Sequence, residues 1–274
     1  MRIVILGAVA LAAAPARADD AADIAKLTDA LFASDTLRFT PGAHVLSMSD
    51  LQPATEFLAS FPPPSTGMGD HKERDLAIAR SRDGKTAWAS FVTTFTLAVE
   101  HGEAPPNTWR ISQLVVKTPA GWRVAFATWT EAVDNDAANR AAIAGKLRLD
   151  EVESTGDAGL RAAFGKLAAT GFDKPDAAAK ELVVLGSAPG ERTTSGPAFA
   201  RAWNAAWAKH VDVEGASAEL APSGTTGWVA ANVKLHKTKG GKAYTIPFRL
   251  FVVFDKDAAG VWQPVHVHFA VPPP

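Results

Sequence analysis

Two stretches of the chain, 83–130 and 226–271, alternate apolar and polar residues at the two-residue period of half-buried strands. The pattern predicts strands over 86–97, 109–118 and 121–130, after a shorter one at 74–80. It predicts a second set over 211–220, 226–238, 243–255 and 261–271. "ELVVLG" (181–186) reads as one more short strand. Helical spacing precedes each set. Ile24, Leu27 and Leu31 form one stripe. "SDLQ" (49–52) reads as a capping box that opens a helix carrying Leu51, Phe57 and Leu58. Leu160, Phe164 and Leu167 share a face. Ser195 and Pro197 open a helix with Phe199, Trp203 and Trp207 at four-residue spacing. Helices followed by antiparallel strands define an α+β lobe, and the order occurs twice.

The two sets are also similar residue by residue. "DGKTAWASFVTTFTL" (83–97) matches "SGTTGWVAANVKLHK" (223–237). "WRISQLVVKTPAGWRVAFATW" (109–129) matches "IPFRLFVVFDKDAAGVWQPVHVHF" (246–269). Trp88 falls opposite Trp228 and Trp122 opposite Trp262, each pair 140 positions apart. An internal duplication of this kind implies two copies of one folding unit. The alanine-rich, charged segment between them predicts a connecting helix. The expected division is a leader over 1–18, lobe 1 over 19–133, a linker over 134–156 and lobe 2 over 157–274.

Alternation divides the strands of lobe 2 into two faces. Val229, Val233, Leu235, Tyr244, Ile246, Phe248, Leu250, Val252, Val265, Val267 and Phe269 make an apolar face that should lie under the helices. Trp228, Asn232, Lys234, His236, Thr245, Arg249, Phe251, Trp262, His266 and His268 make a mixed face. At the matching positions of lobe 1 the histidines are replaced by Thr96, Phe126 and Thr128.

Lobe 2, and more loosely lobe 1, resembles the NTF2-like superfamily in its SnoaL-like branch: helices, a short strand, a helix, then a curved sheet. The ending Trp262, Val265, His266, His268 is similar to the last strand of the calcium/calmodulin-dependent kinase association domain. The resemblance implies two cone-shaped lobes, each with helices packed on a curved antiparallel sheet. It implies no particular activity, because one fold hosts many functions. In relatives of this kind sheets meet across the mixed face, so the two lobes are expected to pack as an internal pseudo-dimer, able to stand as a monomer.

Composition narrows the remaining choices. The formal net charge is −1 and basic residues are scattered, which gives no basis for nucleic-acid binding. A positive Arg2, a short apolar run and "ARA" (16–18) read as a secretory leader, so an exported protein, periplasmic or secreted and free of the membrane after cleavage, is expected. There is no cysteine, hence no disulfide framework and no thiol chemistry.

Three readings of the mixed face stay open. In the first it is packing between lobes, and the protein is a non-catalytic binder of a small apolar or amphipathic molecule, or a scaffold. Tyr244, Arg249, Trp228 and Asn232 are then the candidate ligand-binding residues. In the second, His266, His268 and His236 form an acid–base cluster of an isomerase, cyclase or dehydratase. In the third the protein is a hub-like self-association module. A metal held by the H-x-H pair and His236 is disfavoured by Arg249 and Lys234 on the same face, so no metal and no cofactor is expected.

Overall fold

The computed structural model describes residues 18–28, 36–47, 50–60, 72–95, 98–99, 102–103, 107–173, 175, 182–193 and 195–272. Residues 1–17, with most of the expected leader, lie outside these, as do Leu31, Ser49 and Thr96. Among the described residues no helix is long and apolar enough to cross a membrane.

The chain builds two lobes, each a six-stranded mixed sheet with helices on one face. Lobe 1 contains α1 (Ala18–Ala25), β1 (Phe39–Leu46), β2 (Leu51–Pro53), α2 (Ala54–Ala59), β3 (Lys72–Arg80), β4 (Thr86–Phe95), a small hairpin of β5 (Ala98–Val99) and β6 (Gly102–Glu103), β7 (Asn107–Thr118) and β8 (Gly121–Glu131). A linker helix, α3 (Asn135–Ile143), follows. Lobe 2 contains α4 (Ala158–Thr170), β9 (Val183–Leu185), β10 (Arg192–Thr193), α5 (Gly196–Ala206), β11 (Val211–Leu220), β12 (Thr226–Lys239), β13 (Lys242–Lys256) and β14 (Trp262–Ala270). The strand orders are β2-β1-β8-β7-β4-β3 and β10-β9-β14-β13-β12-β11. They coincide strand for strand. In each sheet one pair is parallel, β1 with β8 and β9 with β14, and the rest are antiparallel. The fold is α+β in two lobes.

Local chemistry sets the helix starts. Asp134 and Asp157 cap α3 and α4 by accepting hydrogen bonds from the first free backbone amides. Pro197 sits in the first turn of α5. The capping box expected at 49–52 does not open a helix. Leu51–Pro53 is a strand paired with β1, and α2 begins only after Pro53. Asp50 is held instead in a turn by Ser47, whose hydroxyl donates to its carboxylate at 2.7 Å. A local side-chain motif lost here to a sheet edge that needed a partner.

Three apolar clusters follow from the face division. Lobe 1 packs Ile24, Phe57, Phe91, Ile111 and Trp129 under its helices. Lobe 2 packs Leu160, Phe164, Trp203, Phe248, Val252 and Phe269. The third cluster lies between the lobes and joins Leu46, Trp88, Leu114 and Phe126 to Trp228, Phe251, Val253 and Val265.

Two members of the expected face sets change sides. Val265 lies between the lobes rather than under the helices, and Trp262 packs toward the core of its own lobe. The cause is a β-bulge in β14: Val253 pairs with His266 but Phe254 pairs with Pro264, leaving Val265 extra. Beyond a bulge the alternation inverts. Lobe 1 has the same bulge at the same place, with Leu114 opposite Phe126 and Val115 opposite Val124. Accordingly Trp122 belongs to the core of lobe 1 and Ala125 to the interface.

The linker is part of lobe 2. Ala138, Ala141, Ala142 and Leu147 belong to that lobe's core. Residues 155–157 run along the edge of β11, with backbone hydrogen bonds from Thr155 to Ala216 and from Asp157 to Ala218. Two glycines make this approach possible. A Cβ on Gly156 would stand 1.8 Å from the Ala218 carbonyl oxygen, and one on Gly215 would stand 1.7 Å from that of Val152. Along 216–218 the edge is thereby closed to pairing with another chain.

Candidate functional site

His266 and His268 lie on β14 and are completely buried against lobe 1. The bulge is what aims them there. Ser112 of β7 stands between them, 2.8 Å from His266 Nε2 and 2.9 Å from His268 Nδ1. Thr130 of β8 meets the other nitrogen of His268 at 2.8 Å. The result is a chain, Thr130–His268–Ser112–His266, running from one lobe into the other and back. A neutral imidazole offers one donor and one acceptor, and each hydroxyl can do both, so all three links can be made at once, while Nδ1 of His266 at the end of the chain is left without a partner. Burial pushes His266 down to about 3. His268 is held well below the ordinary imidazole range by burial first, then by His266 and Arg110. Both are neutral at physiological pH.

A serine beside an imidazole has the outline of a nucleophile and its base. Here both are sealed, with Ser112 and His266 at 0% exposure, and among the described residues no carboxylate bonds to either ring. The chemistry that remains is cross-lobe hydrogen bonding.

His236 is not brought to them. It sits six residues along β12 from Ala230, which pairs through Phe251 with His268, a separation of roughly 20 Å. Its Nε2 is 2.7 Å from Asp212 of β11, and the pair is about half exposed. Among the described residues no three of His, Cys, Asp and Glu converge in a way that could hold a metal.

The candidate ligand residues separate into two groups. Arg249 is 2% exposed and uses three of its nitrogens. Nε donates to Asn232 Oδ1 (3.1 Å), Nη1 to the Ser47 carbonyl of lobe 1 (3.2 Å) and Nη2 to the Asp150 carbonyl of the linker (2.9 Å). Asn232 itself donates to Asp150 O at 2.6 Å. Trp228 is buried between the lobes, 6.0 Å from the Phe126 ring. These three fasten lobe 2 to lobe 1 and to the linker. Burial lowers Arg249 to about 10, so it stays charged at neutral pH. Tyr244 is different. It is half-buried, its hydroxyl donates to Asn139 of α3 at 3.1 Å, and it lines a cleft of about 660 Å³ with His210, His236, Lys237, Thr238 and Thr245. A second hollow of about 340 Å³ lies next to it, under linker residues 145–149.

Two residues carry no expectation from the sequence reading. Gln113 of β7 is 0% exposed, and neither its amide oxygen nor its amide nitrogen has a partner. It shares the helix-facing side of the sheet with Trp109, Ile111 and Val115. Thr93 of β4 lies on the same side, fully buried, its hydroxyl also without a partner. The signal was present in "RISQLVVK": a glutamine at an inward position between isoleucine and valine.

Residues 170–274 match the family model described as the SnoaL-like domain. The match covers most of lobe 2 and includes both histidines, and lobe 1 repeats the strand order of that lobe. The chain is similar in structure to several solved proteins that it covers almost completely. One is a protein of unknown function with a cystatin-like fold from Nostoc punctiforme (13% identity, 43% of this chain and 95% of that one, TM-score 0.34). Another is an NTF2-like protein with a cystatin-like fold from Novosphingobium aromaticivorans (16%, 45% and 88%, TM-score 0.33). A third is the CaMKII hub of S. rosetta (17%, 43% and 100%, TM-score 0.34). No curated protein matches the chain.

Proposed function

We propose that the protein is an exported, non-catalytic binding protein for a small apolar or amphipathic molecule, working as a monomer whose two lobes form a permanent internal dimer. The observation that carries this reading is the sealed histidine chain between the lobes. The residues with the strongest catalytic character serve the lobe contact, and no solvent-borne substrate reaches them. The same face is where a second copy would dock in a hub-like assembly, and it is already covered. The export half of the proposal rests on the leader pattern of residues 1–18 alone.

A screen of small apolar and amphipathic molecules by thermal shift tests the binding reading. Binders should raise the melting temperature and be recovered chemically unchanged after prolonged incubation. Turnover of any of them that disappears in His236→Ala would overturn it, because the His236–Asp212 pair is the histidine pair open to solvent in the 660 Å³ cleft.

A further inference from the structure

The two lobes share one architecture, but their interiors differ at one row of the sheet. In lobe 2 the row reads Val229, Val252, Val267 across three strands, and Val233 lies further along β12. All four are fully buried members of the apolar core. In lobe 1 the same register positions are Ala89, Gln113, Ala127 and, further along, Thr93. Two valines have become alanines on either side of a glutamine, and the remaining two positions have become polar.

A primary amide can form about four hydrogen bonds, and a fully buried one that forms none is costly to fold. Gln113 is such an amide, and Thr93 adds an unmet hydroxyl on the same face. The side chains around them are Phe91, Ile111, Trp109 and Trp129, which offer dispersion contacts and no charge. The flanking residues, Ala89 and Ala127, each present a single methyl where lobe 2 has the larger valine. Core packing alone favours the valines that the other lobe uses. We infer that the helix-facing interior of lobe 1 is a binding site for a small neutral amphipathic ligand, with Gln113 as its recognition group. The ligand presents a paired donor and acceptor, as an amide or lactam does, to the Gln113 amide, and an apolar body to the aromatic wall. Thr93 lies roughly 14 Å further along the strands and meets the far end of a longer ligand. Glu131 pairs with Trp109 at that end, and its carboxylate disfavours an anionic ligand. The inference rests on the ligand-binding reading above and assigns it to a lobe.

The test titrates the whole mature protein with hexanamide and, separately, with hexanoate, following the side-chain amide resonance of Gln113 by NMR. Hexanamide should shift that resonance saturably, and hexanoate should bind at least tenfold more weakly. Gln113→Val copies the residue of lobe 2 and should fold, as judged by circular dichroism. It should lose at least tenfold in hexanamide affinity. Equal binding by wild type and Gln113→Val, or shifts confined to the Tyr244 and His236 cleft, would overturn the site and leave the binding reading intact. Failure of hexanamide to move the Gln113 resonance at any concentration would overturn the site as well. The binding reading would then still be decided by the thermal-shift screen, which uses other molecules.

Discussion

The contact between the lobes can be compared with itself, because a pseudo-twofold axis passes through it. Register places Ser112 of lobe 1 where lobe 2 has Phe251, and Phe126 where lobe 2 has His266. On one side of the axis Ser112 and His266 make a hydrogen bond of 2.8 Å. On the other side Phe251 and Phe126 stack with centroids 4.7 Å apart and planes within 10°. Identical backbone positions are joined once by polar chemistry and once by dispersion. Arg110 and Arg249 repeat the contrast. Both cross to the other lobe, Arg110 donating to the Ala188 carbonyl. Arg249 has Asn232 and the linker carbonyl of Asp150 as further partners. In lobe 1 the position of Asn232 is Val92, and Nε and Nη1 of Arg110 have no hydrogen-bond partner. A fused pair is free to specialise its halves, since a substitution in one is not repeated in the other. A true homodimer would carry every change twice.

The largest expected effect tests whether the shared part of the contact is equivalent. Trp88→Ala and Trp228→Ala should each destabilise by about 3–5 kcal/mol in urea unfolding, since both rings are buried between the lobes. Trp262→Ala should cost less, because that ring is partly exposed and lies on its own lobe. Next in size is the arginine pair. Arg249→Met should cost about 3 kcal/mol by leaving the Ser47 carbonyl and the Asn232 amide oxygen unmet, and Arg110→Met clearly less, measured the same way.

Acid titration separates the polar half from the stacked half. His266 and His268 stay neutral in the fold and gain protons on unfolding. Their contribution is therefore complete above about pH 6.5 and declines as pH falls, that of His266 being lost toward pH 3. Each histidine adds a slope of about 1.4 kcal/mol per pH unit in that window. Asp255 and Glu219, whose carboxyls are raised by burial, hold protons better in the fold and offset part of the loss at the acid end. His266→Phe makes that position match Phe126 and should flatten the urea-midpoint profile between pH 7 and 5. An unchanged slope would mean that the imidazoles are not the titrating groups.

Gly156→Ala probes the covered edge of β11 in lobe 2. The added Cβ meets the Ala218 carbonyl at a backbone φ of +78°, so a loss of about 1–3 kcal/mol is expected in thermal melts. The smallest effect belongs to the half-exposed contact between His44 of lobe 1 and Glu219 of lobe 2, 3.5 Å apart. Glu219→Gln should change the urea midpoint by less than about 0.5 kcal/mol, as surface ion pairs usually do.

Much of the fold was legible because periodicity reports burial. The strand sets, the duplication and the apolar row of β12 follow from two-residue alternation, which a sheet with one buried face imposes on its sequence. The helix face of Leu160, Phe164 and Leu167 followed likewise from helical spacing. The legible part ended where alternation breaks. The bulge at Val265 inserts one unpaired residue, and nothing in "WQPVHVHF" marks which residue that is. β1 carries no such alternation: "FTPGAHVL", with its proline and glycine, is a strand by lying parallel to β8. The candidate site divides along the same line. That His266 and His268 share a face was readable. That Ser112 and Thr130, more than a hundred residues earlier, would fill the space before them was not.

By itself, then, the sequence determined two copies of an α+β unit, the residue types on each sheet face and the placement of the histidines in the second copy alone. Tertiary structure alone decided that those histidines are sealed and neutral, that Trp228 and Trp262 serve different clusters, and that Gln113 is buried without a partner. The physical reason is the range of the interactions. Alternation is enforced within a few residues along one strand. Solvent access, pKa and hydrogen-bond satisfaction are set by whatever distant segment arrives on the other side.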